Sequence, residues 1–429
     1  MHSGMRYETY GGISKMLDDK LWDKSKSLVL NGTSLFSRGP RISPDNAPKY
    51  IDDAKDCYFK SLDHKSFLDY GMAVGSVLLG YGTLSEELMP HFKKGGNWSL
   101  LSPYQVKVAE KLHKNIPSCG KLKFLSTGSE ATESAVRVAR AFTGKQIVIH
   151  DHYHGWISWC APKKHGIPRA YSNLSIQQEE SDIEKYKTML DAMSEVACVI
   201  VEPVKADETS YHNRIKFLNE LKTICHKHDA LLIFDEVACG FRFGLGGAQK
   251  LLGVTPDVSA FAKSTANGYP LSFFCCNKQI ADDIEDKIFV SSTFGGSSLP
   301  LVACDKTIDY INNNDVIESI QNYAAILKTS INSICWENEL LDHISIVGCP
   351  SRLDWKFSSW DVKTLVFQEF IKHGIFFGWE IKNSYTHDSD RDISKTLDAF
   401  NNIVKTCKGS ILSGNTADKI EGTPMGAIL

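Results

Sequence analysis

Residues 230–237 read ALLIFDEV and residues 258–263 read VSAFAK, two short apolar runs that each lead into a charged side chain. Short apolar runs of this kind are typical of buried strands. The first run delivers the Asp235 carboxylate, and the second delivers the Lys263 amine twenty-eight residues later. Open α/β sheets build their functional sites at the carboxyl ends of their strands, so we expect these two side chains to share a site.

Strand-like and helix-like segments alternate through the middle half of the chain. Apolar runs of strand length occur at residues 122–126, 146–150, 196–201 and 230–234. Apolar residues at helical spacing occur at residues 130–142, with Gly144 as the predicted stop, and at residues 213–228. Short strands that alternate with amphipathic helices are typical of a mostly parallel sheet covered on both faces. We therefore predict an α/β fold.

The pattern changes towards both ends of the chain. The first sixty or so residues carry Pro40, Pro44 and Pro48 among polar residues, which indicates an arm rather than a separate core. From about residue 305 the pattern turns to longer helices and few strands. We therefore expect an N-terminal arm over residues 1–62 that joins the small domain, a large domain over residues 63–305, and a smaller C-terminal domain over residues 306–429.

Composition favours an ordinary globular protein. A chain of 429 residues is long enough for two domains, and its net charge of −3 gives no reason to expect nucleic acid or an anionic membrane as a partner. The longest apolar runs hold about half a dozen residues, far short of a membrane span. The first residues lack the apolar core of a secretory signal, and the twelve cysteines have no C-x-x-C spacing. We therefore expect a cytoplasmic location.

Residues 126–132 read STGSEAT at the start of the first predicted helix. Gly128 allows close backbone approach, Ser129 supplies a hydroxyl, and a helix start points free N–H groups and its positive dipole end at an anion. One interpretation is a phosphate cradle. The other is a capped helix that simply follows a strand.

Residues 150–156 read HDHYHGW, with histidines at 150, 152 and 154. Alternating histidines at a strand end share one face, which makes a metal site one interpretation. Against it, we expect no neighbouring carboxylate or C-x-x-C pair to complete a ligand set. A second interpretation uses Tyr153 as an aromatic plate for a planar ring, and a third leaves the histidines as polar surface.

A lysine at one strand end, an aspartate at another and a phosphate cradle form a combination with a known chemistry. A lysine that forms an imine and an aspartate that holds a protonated ring nitrogen are the main contributions of a protein to pyridoxal 5'-phosphate (PLP) chemistry. The three motifs together indicate a PLP enzyme.

The chain resembles the class III (fold type I) PLP-dependent aminotransferases, and among them the glutamate-1-semialdehyde 2,1-aminomutase-like branch. The resemblance spans about residues 30–405 and rests on these segments: Phe124–Arg140, YHG at 153–155, VEPV at 201–204, LLIFDEVACGFR at 231–242, GGAQ at 246–249, TPD at 255–257 leading to Lys263, TFGG at 293–296, and His387 with Asp388–Leu397. It implies a large PLP-binding domain with a mostly parallel, seven-stranded sheet and a smaller α+β C-terminal domain.

The resemblance also implies roles for the residues that match the family motifs. Lys263 would form the internal aldimine and, once displaced by substrate, move the α-proton as general base and acid. Asp235 would pair with the pyridine nitrogen and keep it protonated, so that the ring acts as an electron sink. Gly128 and Ser129 would hold the phosphate. Pyridoxamine 5'-phosphate would be the intermediate form of the cofactor.

Four further residues gain roles in the same way. Tyr153 would stack on one face of the ring and Val237 on the other. Thr293 resembles the family threonine that reaches the phosphate from the neighbouring subunit, which implies a homodimer. Arg38 resembles the aminomutase arginine that pairs with a substrate carboxylate, a role that suits its planar fork. The alternative for Arg38 is an exposed surface arginine.

Departures from the aminomutase pattern bear on the reaction. Ser264–Tyr269 is bulkier and more polar than the glycines that usually follow the lysine. Val74, Ala238 and Trp379 also differ from the residues that aminomutases usually carry at these positions. We therefore favour an aminotransferase that moves an amino group between an amino donor and a keto or aldehyde acceptor. The alternatives are an intramolecular 2,1-aminomutase and, more remotely, a non-catalytic or metal-binding relative.

Overall fold

The computed structural model describes residues 13–39, 42–178 and 181–426. These residues form two compact units. One unit comprises the described residues up to Val74, Gly80–Gly82, and those from Ile320 onward; the other comprises Gly75–Leu79 and Thr83–Ser319. Pro40 and the first twelve residues of the predicted arm lie outside the described residues, and the three domain bounds stay a prediction.

The N-terminal part of the first unit begins with a helix and continues into three short strands. Its elements are α1 (Ile13–Leu28), β1 (Ile51–Lys55), β2 (Tyr58–Ser61), β3 (Ser66–Asp69) and the single turn α2 (Met72–Gly75). The α2 turn is left-handed, because Met72, Ala73 and Val74 have φ values of 39°, 50° and 61°. Only glycine adopts this region without steric cost, so three successive side chains here store backbone strain.

The second unit contains the alternating elements that the sequence predicts. Its helices are α3 (Ser85–Phe92), α4 (Tyr104–Asn115), α5 (Gly128–Thr143), α6 (Arg169–Asn173), α7 (Ile183–Ala192), α8 (Tyr211–Lys227), α9 (Gly247–Leu252), α10 (Lys278–Ile284) and α11 (Ser298–Asn313). Its strands are β4 (Lys121–Leu125), β5 (Ile147–His150), β6 (Ser175–Gln177), β7 (Val196–Val201), β8 (Leu231–Asp235), β9 (Val258–Phe261) and β10 (Ser272–Cys276).

Seven strands of this unit form one sheet in the order β4-β10-β9-β8-β7-β5-β6. The five strands from β9 to β6 run parallel, and β10 runs antiparallel to both of its neighbours. Every residue of β7 and β8 is buried, as expected for central strands covered on both faces. The prediction of a mostly parallel sheet in an α/β fold is therefore confirmed.

The C-terminal part of the first unit is dominated by long helices. Its elements are α12 (Val316–Glu337), whose first four residues belong to the second unit, β11 (Ile344–Cys349), β12 (Arg352–Phe357), α13 (Trp360–Lys372), β13 (Ile375–Phe376) and α14 (Arg391–Leu412). β11 and β12 form an antiparallel pair, whereas β13 joins the N-terminal strands in the order β1-β2-β3-β13. The predicted change to longer helices and few strands is confirmed, since α12 and α14 each span 22 residues.

Two further observations concern the whole described chain. All twelve cysteines are free and buried, so they behave as small apolar side chains of the core. None of the helices within the described ranges has the length and hydropathy needed to traverse a bilayer.

Candidate active site

The candidate site lies at the carboxyl ends of β8 and β9. These strands are parallel neighbours, with Asp235 opposite Ala260 in the register. Asp235 is the last residue of β8 and is only 4% exposed, whereas half-buried Lys263 follows β9 by two residues. The sheet topology therefore brings the carboxylate and the amine to the same edge.

Lys263 has a strained backbone. Its φ is 51°, in the left-handed region that side chains other than glycine rarely adopt. It opens a 3-10 turn that runs to Ala266, immediately after the extended residue Ala262. Strain of this kind persists only where the surrounding structure enforces it, and such residues cluster at functional sites.

The two acidic residues at the end of β8 have different environments. The Glu236 carboxylate accepts hydrogen bonds from the backbone amides of Ala248 and Gln249, each at 2.9 Å, and so holds the start of α9. Burial raises the pKa of Glu236 to about 7. Asp235 instead accepts from the Val237 amide through Oδ1 and contacts a histidine through Oδ2. Glu236 is therefore structural, and Asp235 is the acid available to the site.

The start of α5 has the features expected of an anion-binding helix start. Thr127 is its N-cap and forms a reciprocal capping box with Glu130. The first intrahelical bond joins the Ala131 amide to the Thr127 carbonyl at 3.1 Å, so the amides of Gly128 and Ser129 precede it. Such amides and the positive end of the helix dipole favour a phosphate. The helix begins two residues before the predicted start at residue 130, because the capping box moves the boundary to Thr127.

Gly128 brings this helix start against the other two segments of the site. A Cβ atom on Gly128 would lie 2.9 Å from Val237 Cγ1 and 3.6 Å from Ala262 Cβ. Only a glycine fits so close an approach without displacing Val237. The start of α5, the segment after Asp235 and the segment before Lys263 therefore pack closely together.

The loop that carries Tyr153 is fastened to α5. The Thr132 hydroxyl donates to the His154 carbonyl at 2.8 Å, and the Trp156 amide donates to Ser129 Oγ at 3.3 Å. The Tyr153 side chain is 46% exposed, which leaves its ring free to cover a planar ligand. Ser129 thus supports this loop in addition to its predicted role at the phosphate.

Thr293 and Arg38 lie in exposed turns, one in each compact unit. Thr293 is exposed in the turn before α11, next to Ser292, whose hydroxyl donates to Glu130 Oε1 at 3.2 Å. Arg38 belongs to the other compact unit, where it is exposed in the 3-10 turn Phe36–Arg38. The predicted roles of both residues, at a partner's phosphate and at a substrate carboxylate, stay predictions.

Asp235 and four other side chains form a series of short contacts that the sequence reasoning missed. Its links are His154 Nδ1 to Asp235 Oδ2 at 2.7 Å, His154 Nε2 to Asp151 Oδ1 at 2.9 Å, His152 Nδ1 to Asp151 Oδ1 at 2.7 Å, and His152 Nε2 to Glu202 Oε2 at 3.0 Å. We call Asp235, His154, Asp151, His152 and Glu202 the histidine–carboxylate chain.

The expectation that no carboxylate lies beside these histidines is wrong. Asp151 and Glu202 contact them directly, and polar atoms of Asp151, His152 and His154 lie within 4.8 Å of one another. Both ring nitrogens of His152 and of His154 are directed at carboxylates, and His150 Nδ1 contacts the His152 carbonyl at 2.8 Å. The arrangement is therefore a set of ion pairs rather than an open set of ligands.

The carboxylates control the charge of the buried histidines. Burial alone lowers the pKa of His154, but its hydrogen bonds to Asp151 and Asp235 outweigh burial and raise that pKa to about 9. His152 follows the same pattern, with hydrogen bonds to Asp151 and Glu202 that raise its pKa to about 10. Burial raises the pKa of Asp151, but the two histidines hold it well below its usual value.

The site combines an open α/β sheet, a lysine and an aspartate at adjoining strand ends, and a helix start suited to phosphate. This combination is typical of the fold type I transferases. The class III aminotransferase family model matches residues 42–382. The chain therefore belongs to the class III aminotransferases.

The relatives of this chain include proteins named as aminotransferases and proteins named as aminomutases. The chain is 29% identical to the 3-aminobutyryl-CoA aminotransferase of Cloacimonas acidaminovorans (strain Evry), over 89% of this chain and 94% of that protein. It is 31% identical to the glutamate-1-semialdehyde 2,1-aminomutase of Sulfolobus acidocaldarius, over 74% of this chain and 79% of that protein. Among solved structures, the PLP internal aldimine form of the FumI protein of Sphingopyxis sp. MTA144 has a TM-score of 0.86 at 22% identity, covering 92% of this chain and 97% of that one.

Proposed function

We propose that this protein is a PLP-dependent aminotransferase that moves an amino group between a small-molecule amino donor and a keto or aldehyde acceptor. The observation that carries the proposal is the contact of three segments at one sheet edge. Gly128 at the start of α5 packs against Val237, two residues after Asp235, and against Ala262, which precedes Lys263. An anion site, a buried carboxylate and an amine are therefore held close together.

The residues of this site fit the cofactor. The amides of Gly128 and Ser129 suit a phosphate group. Each oxygen of Asp235 has one hydrogen-bond partner, and a carboxylate oxygen can accept a further N–H, such as that of a ring nitrogen. Tyr153 and Val237 supply the two flanking surfaces for the ring. When bound, PLP would supply a carrier for the amino group and an electron-withdrawing ring.

The chain's own residues would then do three things. Lys263 Nζ would hold the cofactor covalently and, once displaced, would move a proton from the donor's α-carbon to the cofactor and, with the acceptor, from the cofactor to the new α-carbon. Asp235 would pair its carboxylate with the ring nitrogen. The first turn of α5 would fix the phosphate, so that the ring has one orientation relative to the Lys263 amine.

The test of the proposal is chemical attachment. Borohydride reduction of the PLP-loaded protein, followed by peptide mass spectrometry, should place a phosphopyridoxyl group on Lys263. The Lys263→Ala variant should carry no such group, while Lys278→Ala, which changes an exposed lysine on α10, should behave like the unmodified protein. Reduction onto any other lysine would overturn the assignment.

A homodimer in the cytoplasm is part of the proposal. Thr293 is exposed, and the same compact unit exposes large apolar side chains: Leu100, Leu101, Phe289 and Phe294, at 85%, 78%, 82% and 62%. A groove of about 890 Å³ on this unit is lined in part by Leu101, Phe124 and Val290. Large exposed apolar patches mark interaction surfaces, and a second copy of the chain is the proposed occupant. Twelve free cysteines suit a reducing compartment.

A 2,1-aminomutase is the second candidate function, because several relatives carry that name. The two reactions are distinguished by whether a keto product leaves. An amino acid donor should convert the loaded protein to its pyridoxamine form and release a keto acid, and Arg38→Ala should raise the KM for a carboxylated donor. Isomerisation of glutamate-1-semialdehyde without net release of keto acid would favour the aminomutase instead.

A further inference from the structure

The histidine–carboxylate chain follows the order of the strands. Asp235 ends β8, Glu202 directly follows β7, and Asp151 directly follows β5. These three strands are parallel neighbours in the order β8-β7-β5, so their carboxyl ends lie side by side. His152 and His154, in the loop after β5, bridge the three carboxylates. The histidine–carboxylate chain is therefore a consequence of sheet topology and not of one local motif.

Where the carboxylates are ionised, hydrogen-bond chemistry fixes the charge of the histidines between them. An ionised carboxylate only accepts, so a ring nitrogen that contacts one must donate. His154 contacts Asp235 and Asp151, and His152 contacts Asp151 and Glu202, so both rings donate from both nitrogens. A ring that donates twice is an imidazolium. Charge therefore alternates from the inner end of the chain, at Asp235, to the outer end, at Glu202.

The members of the histidine–carboxylate chain differ in their access to water. The side chains of His154, Asp235 and Glu202 are 0%, 5% and 8% exposed, whereas that of His152 is 36% exposed. Solvent therefore reaches this network at His152, while Asp235 and His154 are shielded from it. Because buried charges interact more strongly than solvated ones, a change of charge at His152 or Glu202 is transmitted to Asp235 through the inner members.

We propose that the histidine–carboxylate chain sets the proton affinity of the cofactor's ring nitrogen, with His152 and Glu202 as positioning residues that act through Asp151 and His154. This inference rests on the proposed function, since it requires the ring nitrogen to contact Asp235. It adds two residues, linked to Asp235 through Asp151 and His154, to the control of a proton on the ring.

Other titratable groups interact with the histidine–carboxylate chain, among them Glu236 and Tyr153, which both interact with Asp235. Lys205 Nζ lies 3.8 Å from Asp151 Oδ2, an oxygen with no hydrogen bond among the described residues. Tyr186 of α7, the Cys160 thiol and His150 of β5 also interact electrostatically with members of the chain. Burial raises the pKa of Tyr186 and Cys160 and lowers that of His150, so all three stay neutral near neutral pH.

The test uses the opposite charges of the two outer residues, His152 and Glu202. His152→Gln removes a positive charge and should raise the pH at which the ring nitrogen loses its proton. Glu202→Gln removes a negative charge and should lower that pH. Coupling within one ion-pair network changes an equilibrium by on the order of tenfold, which corresponds to about one pH unit. A purely structural role would move both variants in the same direction.

The measurement uses isotope-labelled PLP reduced onto Lys263, with the ring nitrogen followed by NMR during a pH titration. The control is His226→Gln, which removes a histidine whose Nε2 contacts Asp257 at 3.0 Å, outside the histidine–carboxylate chain. The His226→Gln substitution should leave the midpoint of the ring-nitrogen titration unchanged. Shifts in the same direction for His152→Gln and Glu202→Gln, or no shift in either, would overturn the inference.

A measurement on the cofactor-free protein separates this inference from the proposed function. In that protein the imidazole N–H signals of His152 and His154 should show both rings doubly protonated at about pH 8, above the ordinary histidine pKa of about 6.5. Glu202→Gln should lower the pH at which His152 loses its proton. Failure of PLP to attach at Lys263 would refute the proposed function, and this inference with it. Attachment with singly protonated histidines would refute this inference alone.

Discussion

Raising the pH should weaken the fold of the cofactor-free protein through His154. This side chain is fully buried between two carboxylates, and its pKa rises from an ordinary 6.5 to about 9. The folded state therefore holds a proton that the unfolded chain has already lost. The resulting stabilisation is complete below about pH 6.5 and is lost as the pH rises through about 9. The shift corresponds to about 3 kcal/mol of unfolding free energy.

Urea unfolding followed by circular dichroism at successive pH values measures this effect. Between pH 6.5 and 9 the free energy of unfolding should fall by about 3 kcal/mol more in the natural protein than in His154→Gln. The His226→Gln control should show the same pH dependence as the natural protein, because it removes a histidine that is 47% exposed and lies outside the histidine–carboxylate chain. If the difference in unfolding free energy between the natural protein and His154→Gln does not change with pH, the reasoning is refuted.

Three further changes test the site. Asp235→Asn should keep the fold by circular dichroism and lower the half-reaction rate with an amino donor by several powers of ten, because a neutral amide does not hold the ring nitrogen protonated. Gly128→Ala should weaken PLP binding, measured by equilibrium dialysis, by on the order of tenfold, because the added methyl would lie 2.9 Å from Val237 Cγ1. Mixed subunits of Lys263→Ala and Thr293→Ala should regain activity through one intact site per heterodimer, and an active monomer in sedimentation would contradict this.

The sheet edge could be predicted because strand ends are a local property of the sequence. Asp235 and Lys263 each follow an apolar run, and β8 and β9 are parallel neighbours, so both side chains reach one edge. The α5 boundary was missed by two residues although its signal was present. Thr127 followed three residues later by Glu130 is a capping box, which places the helix start at Gly128.

The histidine–carboxylate chain was missed because it depends on neighbours distant in sequence. The predicted alternation of histidines on one strand face fails, since β5 ends at His150 and the other two histidines lie in the following loop. Glu202 lies fifty residues from His152 in the sequence and becomes its partner only because β7 pairs with β5. Local periodicity carries no information about that pairing.

Only some members of the histidine–carboxylate chain lie in the sequence motifs that identify the family. His154 and Glu202 lie within the YHG and VEPV segments that support the family resemblance, whereas Asp151 and His152 lie outside those segments. Replacing His152 by a neutral residue would leave every one of those segments unchanged and still alter the charge that reaches Asp235. Since the protonated ring nitrogen determines how far the ring withdraws electrons, the catalytic behaviour of this chain depends on residues beyond those that identify its family.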